Sequence, residues 1–175
     1  SLFLQISVLE NVMVGQHCRT RHEFVGCGLR TPGQRREERA IRDAALSWID
    51  YVGLGHQASE PAGALAFGQR RMVELARALA TDPELLLLGE PASGLNMSET
   101  DDFGKLVRKI RETGITVLLV EHDMSLVMDI SDEILVLDNG ITIAEGPPAA
   151  IQNDPNVIAV YLGSDFEHVT ASQKS

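Results

Sequence analysis

The spacing of hydrophobic positions along this chain changes several times, and each change marks an element. Ala40, Ile41, Ala44, Ala45, Trp48, Ile49 and Val52 recur at three- and four-residue steps, so they share one face of a helix from Gln34 to Val52. Gly53 and Gly55 end it. Gly68 opens a second helix, QRRMVELARALA, with Met72, Leu75, Ala76 and Leu79 as its apolar stripe and Pro83 as its stop. Leu85 to Leu88 is a short unbroken apolar run, the pattern of a strand buried on both faces. Ser98 and Asp101 resemble a capping pair ahead of Phe103, Leu106, Val107 and Ile110, a third amphipathic helix ended by Gly114. Ile115 to Val120 then reads as a second buried strand.

Before these elements, Leu9, Val12 and Val14 predict a short helix within residues 1–17, and the glycines and proline of residues 18–33 predict a loop. After them, Glu133–Leu137 and Ile141–Glu145 flank Asp138-Asn139-Gly140, a hairpin signal. Pro147 and Pro148 start a tail of two short helices. The order helix, strand, helix, strand requires a crossover and hence parallel pairing. The expected class is therefore α/β, with a helical portion in front and a small appendage behind.

Bulk properties narrow the function. The 175 residues suffice for one domain with a core, and the composition is that of an ordinary globular protein. A formal net charge of −10 argues against a nucleic-acid partner. Arg19, Arg21, Arg30, Arg35, Arg36 and Arg39 crowd the first quarter, read as a solvated face or as a contact to a membrane-side partner. Cys18 and Cys27 give neither a disulfide framework nor zinc-ligand spacing, which makes the reducing cytoplasm the default. No apolar run approaches the ~18 residues that span a bilayer. The opening SLFLQISVL is a poor signal peptide and starts with Ser, so the expectation is a chain that begins partway through a longer protein.

Candidate chemistry lies where the parallel strands end, because open sheets bind ligands in the crevice beyond their carboxyl ends. Glu90 follows the first strand, and Glu121-His122 the second. Adjacent strand ends would bring Glu90 and His122 together, able to polarise a water and sense a phosphate. A surface glutamate and a surface histidine at loop starts is the alternative. Gly68 and Gln69 would present backbone N–H groups at a helix N-terminus, an anion site, or form an ordinary glycine turn.

Taken together, these segments resemble a known family. Leu65-Ala66-Phe67-Gly68-Gln69 resembles the LSGGQ signature of ABC transporter ATPases. "LLLLGEP" follows in the family's order, then Ser93-Gly94-Leu95-Asn96, similar to the D-loop, and His122, similar to the switch histidine. "VEHDMSLVMDISDEILVLDNG" and "EGPPAAIQNDPNVIAVYLG" resemble the cytoplasmic ATPase of branched-chain amino acid importers, and "LFLQISVLENVMVGQH" its segment after the Q-loop. The resemblance implies a partial P-loop NTPase fold: a parallel sheet core, a helical signature subdomain, and a C-terminal hairpin plus short helices. It divides one incomplete ABC ATPase domain, 1–175, into a helical and signature part (1–80), a core with Walker B-like and switch segments (81–145), a C-terminal extension (146–165) and a tail (166–175).

The resemblance also implies a function: ATP hydrolysis, with ATP and Mg²⁺, driving uptake of branched-chain amino acids. A subunit of this kind sits on the inner face of the plasma membrane. It pairs with a second ATPase subunit and with transmembrane permeases, and indirectly with an extracytoplasmic binding protein. Carried over, Leu65, Ala66, Phe67, Gly68 and Gln69 would bind the γ-phosphate across the dimer. Glu90 would be the general base, His122 would contact the γ-phosphate, and Ser93, Gly94, Leu95 and Asn96 would couple the two sites.

The departures carry equal weight. The sequence contains no G-x-x-x-x-G-K-[ST], and Gly89 stands where the family has the aspartate that helps hold Mg²⁺. Ala66 stands where the signature serine would donate to the phosphate. This chain alone is therefore expected neither to bind Mg·ATP tightly nor to hydrolyse it. Two alternatives to a piece of an active ATPase follow: a degenerate, non-catalytic partner subunit, or a decayed coding sequence. Trp48, Met72, Met124 and Met128 read as packing. His17, His22, His56 and His168 read as surface residues, and Pro155-Asn156-Val157 and Tyr161-Leu162-Gly163 as tail structure.

Overall fold

The computed structural model describes residues 2–17 and 32–160. Cys18, Cys27, His22, His168, Arg19, Arg21, Arg30 and Tyr161-Leu162-Gly163 lie outside the described residues. The chain divides into two compact units, Ser1–Val120 and Glu121–Ser175.

The first unit begins with three packed helices, α1 (Val8–His17), α2 (Pro32–Tyr51) and α3 (Phe67–Leu79). Val8, Leu9 and Val12 of α1, Ala45 and Ile49 of α2, and Val73 and Ala76 of α3 form one buried cluster, closed by Val52, Leu54, Ala58 and Leu65. Val14, expected inside, is 39% exposed, and Ala40 is exposed. The helical faces are narrower than the hydrophobic stripes, so residues at their margins meet solvent. Val73, fully buried, belongs to the α3 stripe that Met72 only borders. Trp48 packs on the cluster and meets Tyr51 edge-on at 5.4 Å between centroids. Among the described residues, Asn11 is the one buried polar residue of this core. Its Oδ1 accepts from Phe3 N–H at 2.9 Å, and its Nδ2 donates to the carbonyls of Phe3 (2.9 Å) and Ser7 (3.0 Å). That satisfies the amide and ties the first residues to α1.

From α3 the chain enters β1 (Leu85–Gly89), crosses over through α4 (Met97–Glu112), and returns as β2 (Thr116–Val120), parallel to β1 from Leu85↔Thr116 to Gly89↔Val120. Gly114 takes φ +92° after α4 and donates to the Arg111 carbonyl, the left-handed helix end that glycine permits. The expectation of strands buried on both faces fails. Leu86 is buried and α4 packs on this side, but Leu85, Leu87, Leu118 and Val120 are 51–65% exposed on the other. An unbroken apolar run is required for burial on two faces, yet it does not supply the second cover.

The cap of α4 also differs from expectation. Asn96, not Ser98, is the N-cap: its Oδ1 accepts Glu99 N–H at 3.0 Å, and Glu99 Oε2 accepts Asn96 N–H at 2.9 Å. Both frames place a small polar residue three ahead of an acid. Asn96 prevails because Glu99, unlike Asp101, is long enough to reach back to the cap N–H.

In the second unit, α5 (Met124–Ile130) is capped by Asp123, whose carboxylate accepts Leu126 N–H at 3.1 Å. The hairpin follows as expected. β3 (Ile134–Asp138) pairs antiparallel with β4 (Ile141–Gly146), and Asn139 (φ +48°) and Gly140 (φ +80°) form the two-residue turn. A bulge interrupts the pairing between Val136 and Leu137. α6 (Pro148–Ile151) follows, and residues 155–160 are helical, with Val157 buried.

Candidate nucleotide-facing turns

Leu65 to Gln69 form the entry to α3. Leu65 is buried in the helical core, which anchors the turn, and Ala66 is the extended N-cap residue. Alanine has no oxygen with which to cap. Only half a capping box exists: Gln69 Oε1 accepts Ala66 N–H at 3.1 Å. The first hydrogen bond of the helix itself is Arg70 N–H to the Ala66 carbonyl, so the N–H groups of Phe67, Gly68 and Gln69 precede the intrahelical ladder. No acidic residue lies in the first turn of α3. The guanidinium carbons of Arg70 and Arg71 lie 5.9 and 5.2 Å from the centroid of the Phe67 ring. Arg71 is paired with Glu74 at 3.0 Å, so the helix dipole and the unbonded N–H groups are what favour an anion at this end.

Glu90 sits one residue beyond β1 in the left-handed region, at φ +46°. Its N–H donates to the Val120 carbonyl at 2.8 Å, and its own carbonyl accepts Ser93 N–H at 3.2 Å. A non-glycine residue in this conformation costs about 1–3 kcal/mol and persists only where its surroundings hold it. Here the β2 strand end and the following turn do so, and the side chain is left exposed at the carboxyl end of the parallel pair. Gly89, immediately before it, has open space where a Cβ would be: nothing lies within 4 Å.

The Ser93–Asn96 turn joins the end of β1 to the Leu65–Gln69 turn. Gly94, at φ +82°, lies against Phe67, whose Cε1 would be 3.0 Å from a Cβ at position 94. Gly68 lies against Leu95 and Glu99. These segments, separate in sequence, are therefore one interlocked surface. A side chain at position 94 would meet the Phe67 ring, and one at position 68 the carboxylate end of Glu99.

His122 lies in the second unit and Glu90 in the first. The His122 imidazole is 75% exposed, while the side chain of Glu121 is almost wholly buried. The Glu121 carboxylate accepts His122 N–H at 3.2 Å and stands 3.9 Å from Nδ1. The exposed ring thus has one nitrogen beside a fixed carboxylate. Reading the sequence singled out these turns but missed Glu99, although the Asn96-x-x-Glu99 spacing announced it.

Residues 1–93 match the model of the ABC transporter family, more than half of the chain. The chain belongs to that family. Residues 142–167 match a second family model, described as branched-chain amino acid ATP-binding cassette transporter. The BraF protein of Pseudomonas aeruginosa, a high-affinity branched-chain amino acid transport ATP-binding protein, is 45% identical over 93% of this chain. The LivG protein of Escherichia coli K12, of the same description, is 42% identical over 93%. The chain spans 64% of the length of each of these relatives, just under two thirds. Its fold is similar to that of MJ1267, an ATP-binding cassette of an ABC transporter in its ADP conformation. The TM-score is 0.73 at 28% identity, over 91% of this chain and 63% of that one. This ABC transporter chain therefore has the α/β ATPase fold.

Proposed function

We propose that this chain is part of the ATP-binding subunit of an importer of branched-chain amino acids. The Leu65–Gln69 turn is its γ-phosphate contact across a dimer, Glu90 its general base, His122 a γ-phosphate sensor, and Ser93–Asn96 the link between sites. The observation that carries this reading is the interlock of Gly68 and Gly94 with the opposite turns, directly after the strained Glu90. The match of residues 142–167 and the names of the relatives support the amino acid class. Among the described residues no helix is long and apolar enough to cross a membrane. On this reading the subunit works with a second ATPase subunit and with transmembrane permease subunits. The inner face of the membrane is the place for this subunit.

Gly89 offers Mg²⁺ no carboxylate at the end of β1. Loss of a charged metal contact costs about 2–4 kcal/mol of transition-state stabilisation, a rate loss of about 30- to 1000-fold. Ala66 removes a hydroxyl that would hydrogen-bond a charged phosphate, about 1.5–3 kcal/mol. We therefore propose that the 175-residue chain alone does not bind Mg·ATP at micromolar affinity. Calorimetric titration checks this, and stoichiometric micromolar binding would refute it. A Cβ at position 89 meets nothing within 4 Å, and Gly89→Asp is expected to increase Mg²⁺-dependent nucleotide binding.

Gly89 and Ala66 also favour a second reading, a non-catalytic subunit that offers its α3 turn to another subunit's phosphate loop. Adding this chain to an intact family ATPase discriminates between them. Stimulated hydrolysis that Gly68→Glu abolishes supports the partner role; no effect on hydrolysis counts against it.

A further inference from the structure

One carboxylate serves two turns. Glu99 Oε2 accepts Asn96 N–H at 2.9 Å, as part of the cap of α4. Its other oxygen faces the entry to α3: a Cβ at Gly68 would stand 2.6 Å from Oε1 and 3.0 Å from Cδ, with Leu95 Cδ2 at 3.4 Å. The carboxylate is the movable end of a flexible side chain, so it could swing away from an added methyl. That swing would break the bond to Asn96.

We infer that Glu99 is a positioning residue that couples the Gly68 turn to the Ser93–Asn96 turn, so that displacement at one changes the capping of the other. The mechanical link stands on these contacts alone. Its consequence for a phosphate rests on the proposed function of the α3 entry. The first turn of α3 carries no acid of its own, and the Glu99 carboxylate is the anion standing against Gly68. A phosphate approaching the Phe67–Gln69 N–H groups repels that carboxylate and weakens the Asn96 cap. A binding event at Gly68 is thereby converted into a change at Asn96.

A variant set made in this chain tests the link: G68A, E99A, G68A/E99A, and E99Q as the conservative control. In the native background G68A lowers the melting temperature by displacing the carboxylate from Asn96. In the E99A background the same substitution raises it, because alanine is the better helix former and no carboxylate bond to Asn96 is left to lose. E99Q retains an acceptor of the same shape and leaves the loss from G68A in place. In amide NMR spectra the Asn96 N–H moves in G68A as in E99A, and stays near its native position in E99Q. A merely local role for Glu99 would leave the Asn96 amide indifferent to position 68. Equal effects of G68A in both backgrounds, or an Asn96 amide unmoved by G68A, overturn the link.

Titration with inorganic tripolyphosphate tests the consequence without any change at Gly68. The Gly68 and Gln69 amides are expected to shift, with Asn96 following in the native chain and not in E99A. If Asn96 follows equally in E99A, the coupling is overturned. If the α3 amides never respond, the anion-site reading fails, while the link is still decided by the melting temperatures.

Discussion

The helical cluster and the parallel strand pair of the first unit meet water on opposite terms. α1, α2 and α3 close around one another, with Val8, Val12, Ala45, Ile49, Val73 and Ala76 wholly removed from solvent. β1 and β2 are richer in leucine and valine, yet Leu85, Leu87, Leu118 and Val120 all stay more than half exposed. Hydrophobicity alone does not bury a residue; an opposing surface does. Three amphipathic helices supply one another's cover. A two-stranded parallel sheet has two faces, and α4 covers one. An apolar strip of this kind on a described surface marks a face suited to association.

The sharpest way to break this contrast is to truncate one residue of each region. Ile49→Ala leaves a cavity in the closed cluster and is expected to cost about 2–5 kcal/mol. Leu87→Ala should stay within about 0.5 kcal/mol in the dilute chain. Denaturant unfolding of both reads the difference, and comparable losses would mean that the strand face is covered in solution. Charging the strip by Leu87→Lys alone should leave the melting temperature nearly unchanged and shift sedimentation toward monomer. A lowered melting temperature would again contradict an open face.

The two helix entries give a smaller contrast. Asn96 caps α4 fully, so Asn96→Ala is expected to cost about 1 kcal/mol. At α3, Ala66→Ser adds the missing cap oxygen and should stabilise by up to about 1 kcal/mol, measured by the same unfolding curves.

The smallest effect concerns pH. The Ser7 hydroxyl and backbone N–H donate to Glu10 and hold its carboxyl below the ordinary glutamate range. A depressed carboxyl contributes stability above its unfolded pKa and loses it as the pH falls through the lower folded value. Ser7→Ala removes the hydroxyl's share of that effect, so thermal melts across pH should show lower stability at neutral pH and a nearly unchanged acid end, where the carboxyl is protonated in both states.

Much of the architecture was legible because it depends on neighbours close in sequence. The α2 and α3 stripes, the Gly114 stop and the Asn139-Gly140 turn all follow from periods and turn preferences over a few residues. The Val14 and Ala40 errors have one cause: a stripe gives a direction of burial and not its width. The frame of the α4 cap was ambiguous between Asn96-Glu99 and Ser98-Asp101, and only side-chain reach separates them. Among the candidate site residues, Glu90 was visible as a carboxylate at a strand end. Its left-handed backbone, imposed by the Val120 carbonyl across the strand pair, was not.

By itself, then, the sequence determined the element order, the parallel crossover, the family, and the absence of a carboxylate at Gly89, since each is written in local pattern or residue identity. Tertiary structure alone decided which strand face would stay open, because that depends on whether another surface arrives to cover it. It also decided that Gly68 and Gly94 lock into opposite turns and that Glu99 lies between them. Those contacts arise when the β1–α4 connection brings two remote segments within van der Waals distance, and no spacing along the chain encodes that distance.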